Sequence, residues 1–159
     1  MKIRSALVLV AFLAISFGVA ALGSLSTIQN VDGWYATAEK ASWNPPNAIF
    51  GPVWTLLYAL MSVAAWLVWR ERKRVDVRPA LTVYVVQLVL NAAWTPIFFG
   101  AHQLGWALVE IVALWTAVLL TLLSFRGVSK TASWLFVPYL AWVTFAAFLN
   151  FTLWRMNSA

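Results

Sequence analysis

Aromatic and amide side chains recur at helical spacing in three apolar stretches of the sequence. In the first stretch, Trp54 and Tyr58 are four residues apart. The other two stretches repeat the arrangement with Gln87, Asn91, Trp94 and Phe98, and then with Trp142, Ala146 and Asn150. Residues three or four apart lie on one face of an α-helix. Aromatic faces stack on planar molecules and a few amides orient them, so the three faces predict a pocket for a flat, apolar ligand.

Residues for acid–base, nucleophilic or metal chemistry are scarce. The chain has no cysteine, which excludes disulfides, thiol chemistry and cysteine-bound metals. Its one histidine, His102, has no histidine cluster beside it, so no metal site is expected. No acid–base dyad or nucleophile–base pair stands out. Any chemistry at the aromatic pocket would therefore come from the ligand, and catalysis in the dark is not expected.

The composition places these faces in a membrane. Hydrophobic residues make up 63% of the chain and charged residues 10%, whereas soluble domains have about 45–50% and about 25%. Five apolar stretches approach the roughly 20 residues that a helix needs to cross a bilayer. The sequence therefore predicts an all-α integral membrane bundle of five transmembrane helices, as a single domain over 1–159. The helices are predicted at about 5–25, 49–69, 79–99, 104–125 and 131–154.

The chain carries a formal charge of +6, which in a soluble protein would suggest nucleic acid as a partner. Here the basic residues lie in short loops, and nine of the eleven would fall on one side of a five-helix bundle. The positive-inside rule explains this bias, so we expect no nucleic-acid binding, a cytoplasmic N-terminus and an external C-terminus. The dense run 70–78 is then either a cytoplasmic anchor or a patch that touches anionic lipid.

The first apolar run has two interpretations. Its basic start, with Lys2 and Arg4, and the apolar residues that follow resemble a secretory signal. The apolar run continues to Leu25, however, which is longer than the stretch of about 7–15 residues usual in a signal. This length favours a retained first helix.

The longest polar segment, 26–47, lies between the first two predicted helices. It contains Trp34, Tyr35 and Trp43, followed by Pro45 and Pro46. Tryptophan and tyrosine are common at membrane interfaces, so an interfacial belt is one interpretation. The other is an extramembrane lid that folds over the bundle and closes the pocket. Two successive prolines favour the lid, because each fixes φ and stiffens the loop.

Glu110 is the only acidic residue within a predicted span. An ionisable group inside a membrane is a functional candidate by default. The alternative is a structural hydrogen bond to a neighbouring helix. The sequence leaves both interpretations open.

Several specific motifs follow one another along the chain. They are Trp43-Asn44-Pro45-Pro46, the segment from Pro52 to Met61, the pattern LNxxWxPxFF ending at Phe99, the segment from Gly105 to Glu110, and the pattern PYxxWxxFAxxLN from Pro138 to Asn150. Together they cover the chain from the first loop onward. In these motifs the chain resembles the TspO/MBR family of tryptophan-rich sensory proteins, which are related to the mitochondrial translocator protein, or peripheral-type benzodiazepine receptor.

The resemblance implies a five-helix bundle, usually a homodimer. Helical spans favour the bacterial cell membrane, because outer-membrane spans are normally β-barrels, although some family members are reported in the outer membrane. Family members bind porphyrins and related tetrapyrroles, such as protoporphyrin IX or haem, and isoquinoline or benzodiazepine-type ligands, with no cofactor required. The positions that match Tyr58, Asn91 and Ala146 line the family's pocket. The tryptophans that match Trp54 and Trp142 are linked to light-dependent porphyrin breakdown.

Some family members also recognise sterols, through a motif of Leu or Val, then Tyr, then Lys or Arg near the end of the last helix. In this chain Phe151 stands where the motif has tyrosine, between Leu149 and Arg155. Such motifs are weak predictors even when complete. The sequence therefore gives little support to sterol recognition.

Three functions remain. The first is a membrane receptor or sensor that binds, and in one version transports, porphyrins and related planar ligands. The second is an enzyme that degrades protoporphyrin IX under light, with Trp54 and Trp142 as its catalytic residues. The third is a dimeric interaction protein whose pocket holds lipid. For the first function, the predicted ligand-binding residues are Trp34, Tyr35, Trp43, Pro45, Trp54, Tyr58, Gln87, Asn91, Trp94, Phe98, Trp142, Ala146 and Asn150.

Overall fold

Five long helices dominate the computed structural model, which describes residues 2–157. All five are long and apolar enough to cross a membrane. No strand occurs in the described part of the chain, so the predicted all-α class with five spanning helices is confirmed. In chain order the helices are α1 (Lys2–Val31), the one-turn α2 (Trp34–Thr37), α3 (Asn47–Arg70), α4 (Arg78–Thr95), α5 (Leu104–Val128) and α6 (Lys130–Met156).

The first helix runs further than the sequence predicted. We expected α1 to end near residue 25, but it continues to Val31, and the lid predicted over 26–47 is correspondingly shorter. The polar residues at its end bond within the helix. The Thr27 hydroxyl donates to the Gly23 carbonyl at 3.2 Å and the Asn30 amide donates to the Ser26 carbonyl at 2.9 Å. These polar residues therefore belong to the end of α1, and the connection between α1 and α3 spans only residues 32–46.

A proline widens the end of the fourth helix. Pro96 has no backbone N–H, and α4 passes at this residue into a π-helical turn, Pro96–Gly100. The turn closes with the Ala101 N–H donating to the Pro96 carbonyl at 2.8 Å. Phe98, within the turn, is buried. His102, in the short link to α5, has a φ of 54°, which lets the chain reverse over three residues.

The helices pack around α5 and α6, with the first helix at the periphery. α5 packs against both α4 and α6, α3 lies on α6, and α1 covers α3 and α4. The end of the bundle that holds the basic runs 70–78 and 126–130 is called the basic end below. Buried rings fill the core near that end, including Tyr84 against Phe125 (6.1 Å between ring centroids) and Phe125 against Phe136 (5.2 Å). Open space is therefore left toward the opposite end.

The core makes a testable prediction at Met61, which is fully buried on α3. Met61→Ala should lower the free energy of unfolding by about 2–5 kcal/mol, because the neighbours cannot fill the space left behind. Leu56 on the same helix is 58% exposed and faces outward, so Leu56→Ala should cost about 0.5 kcal/mol or less. Reversible unfolding in mixed micelles, followed by circular dichroism, measures both. Equal losses in the two variants would contradict the packing described.

Candidate functional site

A cavity of about 450 Å³ lies among the five long helices, away from the basic end. This volume is within the range of roughly 300–1,000 Å³ usual for small-molecule sites. Ser24 and Ile28 on α1, and Gly51 and Thr55 on α3, line the cavity and are exposed, so it opens sideways between these two helices. We call it the main cavity.

A smaller space of about 140 Å³ adjoins the main cavity and lies beneath α2. Trp54, Trp94 and Ala146 line both spaces. We therefore treat them as one two-lobed site, with the smaller space as its inner lobe. Of the predicted ligand-binding residues, the main cavity also has Tyr58 and Asn91, and the inner lobe has Tyr35, Phe98, Trp142 and Asn150.

Aromatic rings form the wall between the two lobes. Trp54 stacks on Tyr58 with 5.5 Å between ring centroids and meets Trp142 edge-on at 6.4 Å. Phe50, one turn earlier on α3, meets Trp142 edge-on at 5.9 Å. Ala146, one turn after Trp142, leaves space beside these rings because its side chain is a single methyl group. The arrangement offers ring faces and edges on one side and free volume on the other.

Asn91 joins three helices at the floor of the main cavity. The Tyr58 hydroxyl donates to the Asn91 amide oxygen, and the Asn91 amide nitrogen donates to the Tyr139 hydroxyl at 2.7 Å. These bonds link α3, α4 and α6. We predicted that the amides would orient a ligand, but the Asn91 oxygen and one of its two N–H groups already bond to phenols. One N–H remains for a ligand.

Asn150 plays a similar part beside the inner lobe. Its amide oxygen accepts a hydrogen bond from the Trp94 indole at 3.3 Å, and its amide nitrogen donates to the Leu104 carbonyl at 2.9 Å. Asn150 thereby ties α6 to α4 and to the first residue of α5. Its side chain is only 1% exposed, so its first role is to hold the wall in place.

The connection 32–46 is docked across the end of the bundle. Tyr35 is 3% exposed, lies 5.3 Å from the Phe99 ring and donates to the Asn44 side chain at 3.2 Å. Burial raises the pKa of the Tyr35 phenol, so it remains a protonated donor at neutral pH. At the far end, Asn157 bonds to both backbone groups of Glu39, at 2.9 and 3.0 Å. The connection is therefore held against the bundle at both of these contacts, and its role as a lid over a ligand stays a prediction.

Four predicted ligand-binding residues do not line the site. Trp34 stacks on His102 with 4.7 Å between ring centroids. Trp43 is 49% exposed and meets the Phe145 ring edge-on at 6.0 Å. Pro45 lies beside Trp43, and its carbonyl accepts a hydrogen bond from the Asn44 side chain. These three belong to the outer surface of the connection and its anchor, so they close the site without facing it.

Gln87 is the fourth: it lines neither lobe, and its contact with a ligand stays a prediction. It shares the inward face of α4 with Asn91 and is fully buried. It lies one turn nearer the basic end, below the floor that Asn91 makes with Tyr58 and Tyr139. Neither polar atom of its amide has a hydrogen-bond partner among the described residues. Inward orientation was predicted correctly, but the cavity does not extend that far.

The sequence analysis missed the wall that α1 contributes. Main-cavity residues on this helix include Phe17, Ala20, Gly23, Ser24 and Thr27. The signal was a run of small and hydroxyl-bearing residues every three or four positions, which brings the helix close to α4. A Cβ added at Gly23 would lie only 3.2 Å from the Thr95 hydroxyl oxygen, so a larger residue here would require Thr95 to shift.

Glu110 lies outside both lobes. Both of its carboxyl oxygens are buried and have no hydrogen-bond partner among the described residues. The structural hydrogen bond to a neighbouring helix, one of our two interpretations, is therefore not formed. No group of three potential metal-ligating His, Cys, Asp or Glu side chains occurs in residues 2–157. Among the described residues, no charged side chain lines either lobe.

The hydrogen bonds at Asn91 predict a measurable coupling. Asn91→Leu should lower the free energy of unfolding by about 1–3 kcal/mol, because two buried phenols lose their partner. Adding Tyr139→Phe removes one of the stranded hydroxyls, so the double variant should be less destabilised than the sum of the single variants. The free energies of unfolding of the unmodified protein, the two single variants and the double variant, measured in mixed micelles, complete this double-mutant cycle. Strict additivity would show that the two side chains act independently.

Comparison with known proteins agrees with this architecture. A model of the TspO/MBR family matches residues 10–155. The Tryptophan-rich protein TspO of Chlorobaculum tepidum is 40% identical over 155 residues, covering 97% of this chain and 98% of that protein. The Tryptophan-rich protein TspO of Archaeoglobus fulgidus is 42% identical over 150 residues, 94% of each. The Translocator protein of Homo sapiens is 44% identical over 126 residues, covering 78% and 75%. With its five spanning helices, this multi-pass membrane protein belongs to the TspO/MBR family.

Proposed function

We propose that this protein is a membrane receptor that binds a porphyrin, such as protoporphyrin IX or haem, in the two-lobed site. The observation that carries the proposal is the aromatic wall of Trp54, Tyr58 and Trp142 beside the free volume at Ala146. Relatives named Translocator protein and Tryptophan-rich sensory protein support a receptor role over a catalytic one. Isoquinoline and benzodiazepine-type compounds are planar and apolar as well, and would use the same wall.

The uncharged lining defines how a porphyrin would sit. A tetrapyrrole has an apolar ring and acidic propionate groups, and a buried carboxylate without a partner is costly. The ring would therefore occupy the lobes, with the propionates at the sideways opening between α1 and α3. No resident cofactor is needed for this mode of binding, and the porphyrin is the ligand.

Ala146 offers the sharpest test, because it lines both lobes. Ala146→Leu adds three carbon atoms beside the rings and should weaken protoporphyrin IX binding by about tenfold or more, since overpacking here excludes the ring. The measurement is quenching of tryptophan fluorescence during a titration in the dark. The matched control is Ala141→Leu, an exposed position on the same helix, which should leave the affinity unchanged.

The same titration with Trp142→Phe should also weaken binding, because a smaller ring leaves the wall incomplete. Its effect is expected to be smaller than that of Ala146→Leu, since phenylalanine retains an aromatic face. Absence of saturable binding by the unmodified protein, or equal affinity for Ala146→Leu and Ala141→Leu, would count against the receptor proposal.

Light-dependent porphyrin breakdown is a second candidate, favoured by the edge-on contact of Trp54 and Trp142 at 6.4 Å. Dioxygen would be the oxidant, light absorption belongs to the porphyrin, and the two indoles are the redox-active side chains at the site. Trp54→Phe with Trp142→Phe should then slow the fading of the porphyrin absorption under illumination about tenfold, compared at equal occupancy. Trp134→Phe, an exposed position, is the control. Equal fading in all three proteins would exclude this candidate.

A lipid-filled pocket in a dimeric interaction protein is the remaining alternative. Displacement of bound porphyrin by an isoquinoline carboxamide would argue against it. We also propose the bacterial cell membrane as the location, with the N-terminus cytoplasmic and the C-terminus outside. The concentration of basic residues at one end supports this orientation, and the homodimer is proposed from the family alone.

A further inference from the structure

A second groove lies at the basic end, between the same two helices, α1 and α3, but at the opposite end of the bundle from the main cavity. Its volume is about 680 Å³, and it runs between the start of α1 and the last turns of α3. Its charged lining consists of Arg4, Arg70, Arg72 and Lys73. The site proposed above has no charged lining, so this groove would select a ligand of different chemistry.

The four cations of the groove have no acidic partner within residues 2–157. The two acidic side chains nearest in sequence are used elsewhere. Glu71 pairs with Arg74 at 2.8 Å, Asp76 pairs with Arg78 at 3.1 Å, and no other ion pair is formed in that part of the chain. The groove therefore concentrates positive charge that the protein itself does not neutralise.

Two indoles give the groove a defined shape. The Trp66 indole donates to the Ser5 carbonyl at 2.9 Å and so fastens α3 to α1. The Arg70 guanidinium lies over the Trp66 ring at 4.8 Å, and the Arg72 guanidinium lies over the Trp69 ring at 3.3 Å. One Arg72 N–H also donates to the Trp69 carbonyl at 3.1 Å. Stacking on a ring holds a guanidinium in place and leaves its remaining N–H groups at the edges to meet phosphate oxygens.

The lining also changes from charged to apolar along the helix axes. Leu9 and Ala6 on α1 continue the groove from the cationic rim toward the middle of the span. Indole rings are typical of the level where lipid headgroups meet acyl chains. A free anion would use the rim alone, whereas a lipid would use the rim for its phosphate and the apolar part for its chains.

We propose that this groove binds the phosphate headgroup of an anionic phospholipid, such as phosphatidylglycerol, from the leaflet at the basic end. Each basic residue near an anionic surface contributes attraction that falls off within a Debye length, so four in one groove favour an anionic over a zwitterionic lipid. The groove and the porphyrin site are separate, and neither proposal depends on the other.

Native mass spectrometry of the detergent-solubilised protein tests the proposal, with phosphatidylglycerol and phosphatidylcholine titrated in parallel. Arg4→Gln with Arg70→Gln should lower the apparent affinity for phosphatidylglycerol about tenfold and leave phosphatidylcholine unchanged. The matched control is Arg126→Gln with Lys130→Gln, which removes two exposed charges at the same end outside the groove. It should retain nearly all of the phosphatidylglycerol binding.

Arg4→Gln alone separates loss of binding from loss of folding, because the Arg4 side chain is exposed and forms no ion pair within residues 2–157. It should weaken phosphatidylglycerol binding about threefold or more with an unchanged Tm. Equal losses of affinity in the groove and control double variants would show that only the general surface charge matters, and would overturn the proposal. Equal affinity for the two lipids would also overturn it. Full displacement of the lipid by millimolar inorganic phosphate would overturn it too, because it would indicate a site for free anions.

Discussion

The hydrogen bonds of Asn91 with Tyr58 and Tyr139 are the constraint on which the rest of the bundle depends. Between helices surrounded by lipid, apolar contact gives little net attraction, because acyl chains are as apolar as leucine. Buried polar groups have no water to bond and must find each other. Three helices therefore meet in one register at Asn91. The position of the cavity floor follows from that register, and so does the alignment of Trp54 with Trp142 above it.

On either side of this floor the bundle is built differently. Toward the basic end, rings such as Tyr84, Phe125 and Phe136 fill the interior. Toward the other end, the smaller residues Gly23, Thr95 and Ala146 line the main cavity, and space remains among the rings. Asn150 and the docked connection keep that space from collapsing, since they fix α6 and the end of α4 through polar bonds. The filled core and the open site thus occupy opposite halves of one helix bundle.

Much of this could be predicted from the sequence. Apolar length predicted the five helices, and helical spacing predicted that Trp54, Tyr58, Asn91 and Trp142 face a common interior. Depth along an inward face could not be predicted, because spacing defines direction but not where neighbouring rings stop filling the space. Gln87 was assigned to the cavity for that reason. The wall of α1 was missed because small residues in an apolar helix look alike whether they face a cavity, a neighbouring helix or lipid.

The sideways opening of the main cavity between α1 and α3 has a consequence for how occupancy is controlled. An opening between two spans meets acyl chains, so an apolar ligand arrives from the hydrocarbon phase and not from bulk water. The concentration that determines occupancy is then the amount of ligand per volume of lipid. An apparent Kd expressed per litre of buffer would rise as more lipid or detergent is added, although no contact in the site changes. For the ligand proposed above, the membrane itself would thus act as the reservoir.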